Sequence, residues 1–523
     1  MPQKNSFFII ALIIIYVAAW IIQSTLLFNW DISWGLYEAD RLLAGGNYAK
    51  DFFEPSPPMF LYLYSIPVAF SHIFVIPLTL AFRLFIFGLA STSLFICYKL
   101  LSSSRNILTK PFYLKLFLLT LAVTFLALPL PTDFGQREHI FFILIMPYLL
   151  LVFNRLLDRE PSVRFSYTLK NILIGLLAGI GLAIKPFFPM TLIVIEVYYA
   201  YRKKSWLAWL RPETIAILLL FAIYILIIFL FHRNYITIIA PLIMRYHYQS
   251  YHFSWLMIFS NQALLFCSLI FLFYFTQWQS FSNSKEISLL INILFFSLLS
   301  FLLLYIIQRS PWEYHLFPAY STAILLAVLL FTIAKHIGKQ RVKIDIIQNV
   351  SFIIFAALIF SFPIWYSYGC MTAFLAYKQT TKNLPTILPE LIQQPVYFLS
   401  TTMPPTFAII ELLQAKPVSQ FAHFAWLAGM FKQPIKNEKQ YQQLNQDKLF
   451  IVNNVTKELA TYKPLFIFVD VQKNKPYFDG ITFEYLKEFS NYPKFNLAWH
   501  AYRYYATIEK VDAYKFAIYK RIQ

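Results

Sequence analysis

Cysteine, glycine and charge are all scarce in this sequence. The three cysteines, Cys97, Cys267 and Cys370, are spread over 523 residues. That excludes a disulfide framework and a zinc site of paired-cysteine spacing. The 12 glycines form no GxGxxG arrangement, so no Gly-rich loop is present to cradle a nucleotide phosphate. No His/Glu pair takes the HExxH spacing of a helical metal site either, and the sequence gives no support for a metal or other cofactor. Charged residues make up 13% of the chain, against about 25% in an ordinary soluble domain. Acids are the scarcer sign, 25 Asp and Glu against 44 Lys and Arg, for a formal net charge of +19. Such a surplus can mark a nucleic-acid binder. Here the basic residues sit in short loops between apolar runs, which is how membrane topology is encoded, and no nucleic-acid partner is expected.

What is present is hydrocarbon: 59% hydrophobic residues, 55 of the whole being Phe. Roughly 20 apolar residues suffice for a helical span, and the runs are continuous rather than alternating, which excludes a β-barrel. The sequence predicts a polytopic helical membrane protein with about eleven spans, near 7–28, 75–98, 112–131, 139–154, 170–185, 187–201, 213–231, 254–276, 287–307, 314–334 and 346–366. Residues 7–28 are too long for the apolar region of a signal peptide and lack a small-residue cleavage site after them, so they read as the first span. Residues 58–71 are apolar but too short to cross and are expected to lie in the interface. Ser33–Arg41 is a second such helix, with Leu36, Ala39, Leu42 and Leu43 on one face.

From about residue 368 the chain becomes polar and Lys-rich. Strand-like runs at 395–400 and 465–471 and a closing pair around 504–511 and 514–522 alternate with helical patterns at 406–414 and 481–490. A small α/β domain is expected, dividing the chain into a transmembrane part, 1–367, and a domain, 368–523. Lys and Arg gather in alternate loops, such as Arg202, Lys203, Lys204 and Arg211. This bias predicts a cytoplasmic N-terminus, and an odd number of spans then puts the C-terminal domain outside.

The loops on the outer side carry a different mixture. The first contains five acids, Asp31, Glu38, Asp40, Asp51 and Glu54, with Arg41 and Lys50. The second supplies Asp133, Arg137, Glu138 and His139; the third is a tight turn with Lys185 at its apex. The fourth is rich in Tyr and His and holds Arg245; the fifth has Gln308, Arg309, Trp312, Glu313, Tyr314 and His315. Each piece has an ordinary explanation: a solvated acid at a span end, helix capping by Asp133 and Glu138, a snorkelling Lys185, an interfacial aromatic belt. Together they make a pocket of both signs. Carboxylates beside hydrocarbon need water, a cation or a polar substrate. Cations would grip a phosphate, and a carboxylate would take the proton of an attacking hydroxyl or amine.

Four features carry a resemblance to a known family. They are the run from Asp31 through Tyr37, Ala39, Leu42, Leu43 and Gly45 to Tyr48, Asp51, Pro57 and Pro58; the short loop FGQREH (134–139); the small-residue helix GLLAGIGLAIKP (175–186) ending at Lys185; and a C-terminal soluble domain. The chain resembles the GT-C class of integral-membrane glycosyltransferases, in particular relatives of protein O-mannosyltransferases and of the lipid A aminoarabinose transferase. The resemblance implies an inverting transferase that takes a sugar from a polyprenyl-phosphate donor and passes it to a lipid, glycan or protein acceptor on the outer face. It implies Asp31 as general base. Ile32 stands where many relatives carry a second acid, which makes Glu38 the alternative. Lys185 and Arg137, then Arg245, Arg309 and His315, would hold the donor phosphate, and Asp133 or Glu138 would orient the acceptor or the cations. A transporter of lipid-linked saccharide and a non-enzymatic cell-envelope assembly protein are the competing readings. Transport sites lie near the midplane, whereas the polar residues here gather outside the spans.

Overall fold

The computed structural model describes residues 3–25, 28–102, 111–129, 133–157, 165–251, 253–278, 281, 284–338, scattered positions between 357 and 372, 388–510 and 514–522. In chain order its helices are α1 (Gln3–Thr25), α2 (Trp30–Leu43), α3 (Met59–Phe74), α4 (Leu78–Ser102), α5 (Pro111–Ala122), α6 (Arg137–Leu156), α7 (Phe165–Ala183), α8 (Pro189–Lys203), α9 (Pro212–Phe231), α10 (Ala240–Ser250), α11 (Trp255–Phe259) and α12 (Gln262–Thr276). Further helices follow at Lys285–Gln308 and Phe317–Gly338 and in the C-terminal segment. The chain divides into two compact units. The first holds Met1–Phe28, Ser56–Leu226 and Phe253–Thr372; the second holds Asn29–Pro55, Ile227–His252 and Ala373–Gln523. The last of these breaks lies close to the 367/368 boundary drawn from composition. The stretches Asn29–Pro55 and Ile227–His252 are grouped with the C-terminal segment.

Among the described residues six helices are long and apolar enough to cross a membrane, at Ser6–Thr25, Leu78–Ser102, Arg137–Leu156, Pro212–Phe231, Lys285–Gln308 and Glu313–Thr332. Four shorter apolar helices are Met59–Phe74, Phe112–Ala127, Thr168–Ala183 and Gln262–Thr276. The expected eleventh span, 346–366, lies almost wholly outside the described residues. The expected span 254–276 is two helices. Asn261 breaks it, because its side-chain oxygen accepts the N–H groups of Ala263 and Leu264 and caps α12, satisfying donors that a new helix leaves open.

The first unit is built around α6, whose residues from Glu138 to Asn154 are all buried. Between helices in lipid, close packing rather than water exclusion supplies the attraction, and small residues allow it. A Cβ on Gly181 would come 3.0 Å from the Leu144 Cβ, and one on Gly175 would meet the Glu213 carbonyl oxygen at 2.3 Å. At the C-terminal end of α6, Arg155 makes a forked pair with Glu213 at 3.0 and 3.1 Å. Arg211 joins the same network through Glu196 and Glu213.

The second unit contains a five-stranded sheet in the order β2-β1-β3-β5-β4, with β1 at Pro395–Leu399, β2 at Lys416–Pro417, β3 at Phe466–Asp470, β4 at Tyr502–Lys510 and β5 at Tyr514–Arg521. β1 runs parallel to β2 and β3, and β5 is antiparallel to β3 and β4. All five residues of β3 are buried, as its continuous apolar run requires of a strand covered on both faces. Val396, Phe398, Ile409, Leu413, Phe466, Phe468, Phe516 and Ile518 form the core. The four strands expected from sequence are present. The 25-residue helix Glu438–Tyr462 was not expected. Leu444, Ile451, Val452, Val455 and Leu459 are its buried apolar stripe, thinly spaced among Gln, Asn and Lys.

Within this unit α2 is fixed at both ends and along its length. The Asn29 side chain caps it by accepting the Asp31 N–H at 2.8 Å. Ser33 Oγ donates to Glu411 at 2.7 Å, Trp34 packs edge-on against Phe407, and Tyr37 donates to the Pro417 carbonyl. Arg41 donates to the carbonyls of Asp51, Val418 and Ser419. The buried face is therefore Ile32, Trp34, Gly35, Leu36, Glu38 and Ala39, rotated from the expected one. Leu43 is exposed, because the docking partner is the Pro404–Leu413 helix.

Beneath that contact lies Glu458. It accepts hydrogen bonds from Tyr397 Oη and the Gln420 N–H, both at 2.6 Å, and burial pushes its carboxyl up to about 7. The folded chain thus keeps this proton over a range in which the unfolded chain, with an ordinary carboxyl near 4.5, has lost it. The unfolded state binds fewer protons there, so stability falls as pH rises from about 4.5 to about 7. The decline is of order ~3 kcal/mol, at ~1.4 kcal/mol per unit. Glu458→Gln is expected to flatten this slope in thermal unfolding of the full chain between pH 5 and pH 7.5; an unchanged slope would remove Glu458 from the account.

Candidate active site

Asp31 sits in the first turn of α2, where the aligned N–H groups favour a negative charge. The rigid docking of α2 holds it in place. Its charge reaches two phenols of the second unit. Tyr477 is pushed up to about 12 by burial and then by Asp31. Tyr251 is held well above the usual phenol range by burial, by Tyr477 and by Asp31. The two rings meet edge to face with centroids 4.8 Å apart. Asp31, Tyr251 and Tyr477 come from three separate stretches of chain, brought together by one unit.

Glu38, the alternative base, is wholly buried. Burial and the neighbouring Glu54 carboxylate push it well above the ordinary carboxylate range, which favours its neutral form. Its polar neighbours are the Glu54 carboxyl and the Trp34 indole.

In the first unit, four elements converge on Lys185. The helix α7 ends at Ala183, and a turn closed by the Phe188 N–H on the Lys185 carbonyl points the side chain inward. Its Nζ is ion-paired with Glu138 at the start of α6. It lies 3.3 Å from Gln308 Oε1, 3.4 Å from His315 Nε2 and 5.7 Å from the Tyr314 ring centroid. His315 Nε2 is in turn 3.7 Å from Glu138. Glu138, Lys185 and His315 are thus one buried cluster, as the outer-loop pattern suggests, and Gln308 completes it.

The other candidates are engaged elsewhere. Asp133 is buried and accepts from Tyr320 Oη at 2.7 Å. Arg137 donates to Ser56 Oγ and lies over the Phe60 ring. Arg309 caps the Lys285–Gln308 helix in a left-handed conformation, φ +49°, with its guanidinium 4.7 Å from the Trp255 centroid. Arg245 belongs to the second unit and forks onto Asp447 at 2.9 and 3.0 Å. Tyr246 Oη donates to the same carboxylate at 2.7 Å. That geometry clamps α10 to the Glu438–Tyr462 helix and engages Nε and one Nη of Arg245. Gly429 lets the adjoining helix approach, since a Cβ there would lie 2.2 Å from the Tyr246 carbonyl oxygen. Among the described residues no three His, Cys, Asp or Glu side chains are grouped as metal ligands.

Sequence reasoning did not find Tyr477, Asp447 or the role of Gln308. Asp479-Gly480 is the one local signal near Tyr477, a turn pair. Nothing local marks Asp447.

No family model matches the sequence, and no curated protein matches it. A solved structure does: the crystal structure of ArnT from Cupriavidus metallidurans bound to undecaprenyl phosphate. The likeness covers 99% of this chain and 98% of that one, with a TM-score of 0.50 and 11% identity. At that identity it is a likeness of fold, and it extends over both units. The expectation drawn from the short motifs is met at the level of the fold, which this chain shares with that ArnT structure.

Proposed function

We propose that the protein is an inverting glycosyltransferase that uses a polyprenyl-phosphate-linked sugar at the outer face of a bacterial inner membrane. The acceptor hydroxyl or amine attacks the anomeric carbon, its proton passes to the Asp31 carboxylate, and the bond from that carbon to the phosphate oxygen breaks. The electron pair leaves with the lipid phosphate. The observation that carries the reading is the placement of Asp31. It is an acid at a helix N-terminus, its charge felt by two phenols, on an element pinned by seven hydrogen-bonding or ring partners, within a fold shared with ArnT. Pre-organisation of this kind is what proton transfer in a transition state needs.

In the same reading the Lys185 cluster meets the donor phosphate. Its charge is already matched by Glu138, so His315 and Gln308 would add the extra donors that a phosphate requires. The test is reconstitution in vesicles with a polyprenyl-phosphate sugar and a crude glycolipid acceptor fraction. Free polyprenyl phosphate should be released in step with product. Movement of the intact donor to the opposite leaflet without release would establish transport instead.

A further inference from the structure

We propose that the turn joining α8 to α9, residues 201–210, is a docking surface for anionic phospholipid headgroups. The inference does not depend on the transfer reaction or on Asp31.

The two helices define where hydrocarbon lies. Ile193, Val197 and Tyr201 are exposed on α8, at the four-residue spacing that keeps side chains on one face. On α9 the exposed stripe runs through Ile215, Leu219, Ile223, Leu226 and Leu230. Apolar stripes of that length, open to the outside on membrane helices, face lipid. The turn lies at the end of both stripes, directly before Pro212, where α9 begins.

Backbone hydrogen bonds fix the turn. Lys204 closes α8 in the left-handed region, φ +52°, with its N–H on the carbonyls of Ala200 and Tyr201. A single 3-10 turn, Trp206–Trp209, follows, and the Arg211 N–H bonds back to the Trp209 carbonyl at 2.8 Å. This geometry leaves Trp206 80% and Leu207 69% exposed, with Trp209 and Leu210 exposed beside them. Arg202 and Lys204 are exposed at the head of the same turn, and Lys203 is half-buried. An indole that enters no core belongs at the boundary between hydrocarbon and headgroups. Lys and Arg stems reach from that depth to phosphates.

Basic residues at a helix C-terminus ease its dipole, which would explain Arg202 and Lys203 by themselves. It does not explain the exposed rings beside them. The turn also has no carboxylate of its own. No acid lies between Glu196 and Glu213 in the sequence. Glu196 is ion-paired with Arg211, and Glu213 with Arg211 and Arg155. Arg211, the last cation of the run, is buried with its guanidinium 3.7 Å from the Tyr199 centroid, so it serves the protein interior. Cations and apolar side chains on one turn match a surface that offers phosphate above and acyl chains below. The negative potential of an anionic leaflet draws in each Lys or Arg close to it.

Full-length protein in neutral detergent tests this, titrated with phosphatidylglycerol or phosphatidylcholine and read by native mass spectrometry. Wild type should hold phosphatidylglycerol more tightly. The triple variant Arg202→Gln, Lys203→Gln, Lys204→Gln should weaken phosphatidylglycerol binding by about 10²-fold, roughly a factor of five for each cation, and leave phosphatidylcholine binding unchanged. The charge-preserving triple Arg202→Lys, Lys203→Arg, Lys204→Arg should keep the preference within about threefold of wild type. Trp206→Ala with Leu207→Ala should weaken both lipids alike, by about tenfold, since it removes apolar anchorage and no charge. A glutamine triple with a lowered melting temperature and an unchanged lipid preference would show the cations to be caps of α8 and overturn the proposal. If that triple loses stability and preference together, the charge-preserving triple decides: retained preference supports the proposal and lost preference overturns it. Equal binding of the two lipids by wild type would overturn it too. So would displacement of phosphatidylglycerol by an equal concentration of soluble glycerol phosphate, which would mark a free-anion site.

Discussion

Asp31→Asn is expected to lower sugar transfer by roughly 10²–10⁴-fold, the usual contribution of a positioned general base. The substitution is close to isosteric. It keeps the Asn29 cap, which uses the residue 31 N–H and not its side chain. The lost charge at the start of α2 should cost only about 0.3–1 kcal/mol of stability, so expression and fold should survive. Donor KM should change little, because the carboxylate acts on the acceptor. Comparing kcat and donor KM for wild type and variant checks this, and full activity in Asp31→Asn would remove the residue from the mechanism. Glu38→Gln gives the contrast. Burial and Glu54 favour the neutral form of the Glu38 carboxyl, so its neutral isostere should retain transfer within about threefold, well short of the loss expected for a base.

The second large effect concerns Lys185. Lys185→Ala leaves Glu138, whose side chain is 1% exposed, without its ion partner. Breaking a buried pair from one side costs about 3–5 kcal/mol, so the single variant should be strongly destabilised, and its loss of activity would say little about binding. Replacing both partners, Lys185→Met with Glu138→Leu, removes the uncompensated charge and should recover most of the stability. In that double variant the donor KM should remain raised by tenfold or more, a loss of ~1.4 kcal/mol or greater, if the cluster holds the phosphate. A stable double variant with normal donor KM and a pure kcat defect would contradict the role.

The parts of this molecule that were legible in sequence are those set by local pattern. Apolar runs gave helices, the short continuous apolar runs at 395–400 and 465–471 gave buried strands, and the mixed charges of the loops between spans pointed to Glu138, Lys185 and His315, which meet. What was not legible depends on partners distant in the chain. Arg245 looked like a phosphate ligand until Asp447, 202 residues away, claimed its guanidinium. The burial of Glu38 follows from the face of α2 that the Pro404–Leu413 helix covers, and the periodicity of α2 alone favoured a different one. Asn261 divides an apolar run that composition reads as continuous, because one capping side chain outweighs the propensity of its neighbours. Tyr477 had no signal of its own, since its position is imposed by a loop that holds it at φ +72°, a conformation its own residue type disfavours.

The account stands most directly on the fate of the bond between the sugar and the lipid phosphate. Reconstituted protein supplied with a polyprenyl-phosphate sugar labelled at the anomeric carbon should yield free polyprenyl phosphate and a product whose anomeric configuration, read by NMR, is opposite to that of the donor. Retained configuration, or intact donor recovered on the far leaflet with no lipid phosphate released, would contradict it.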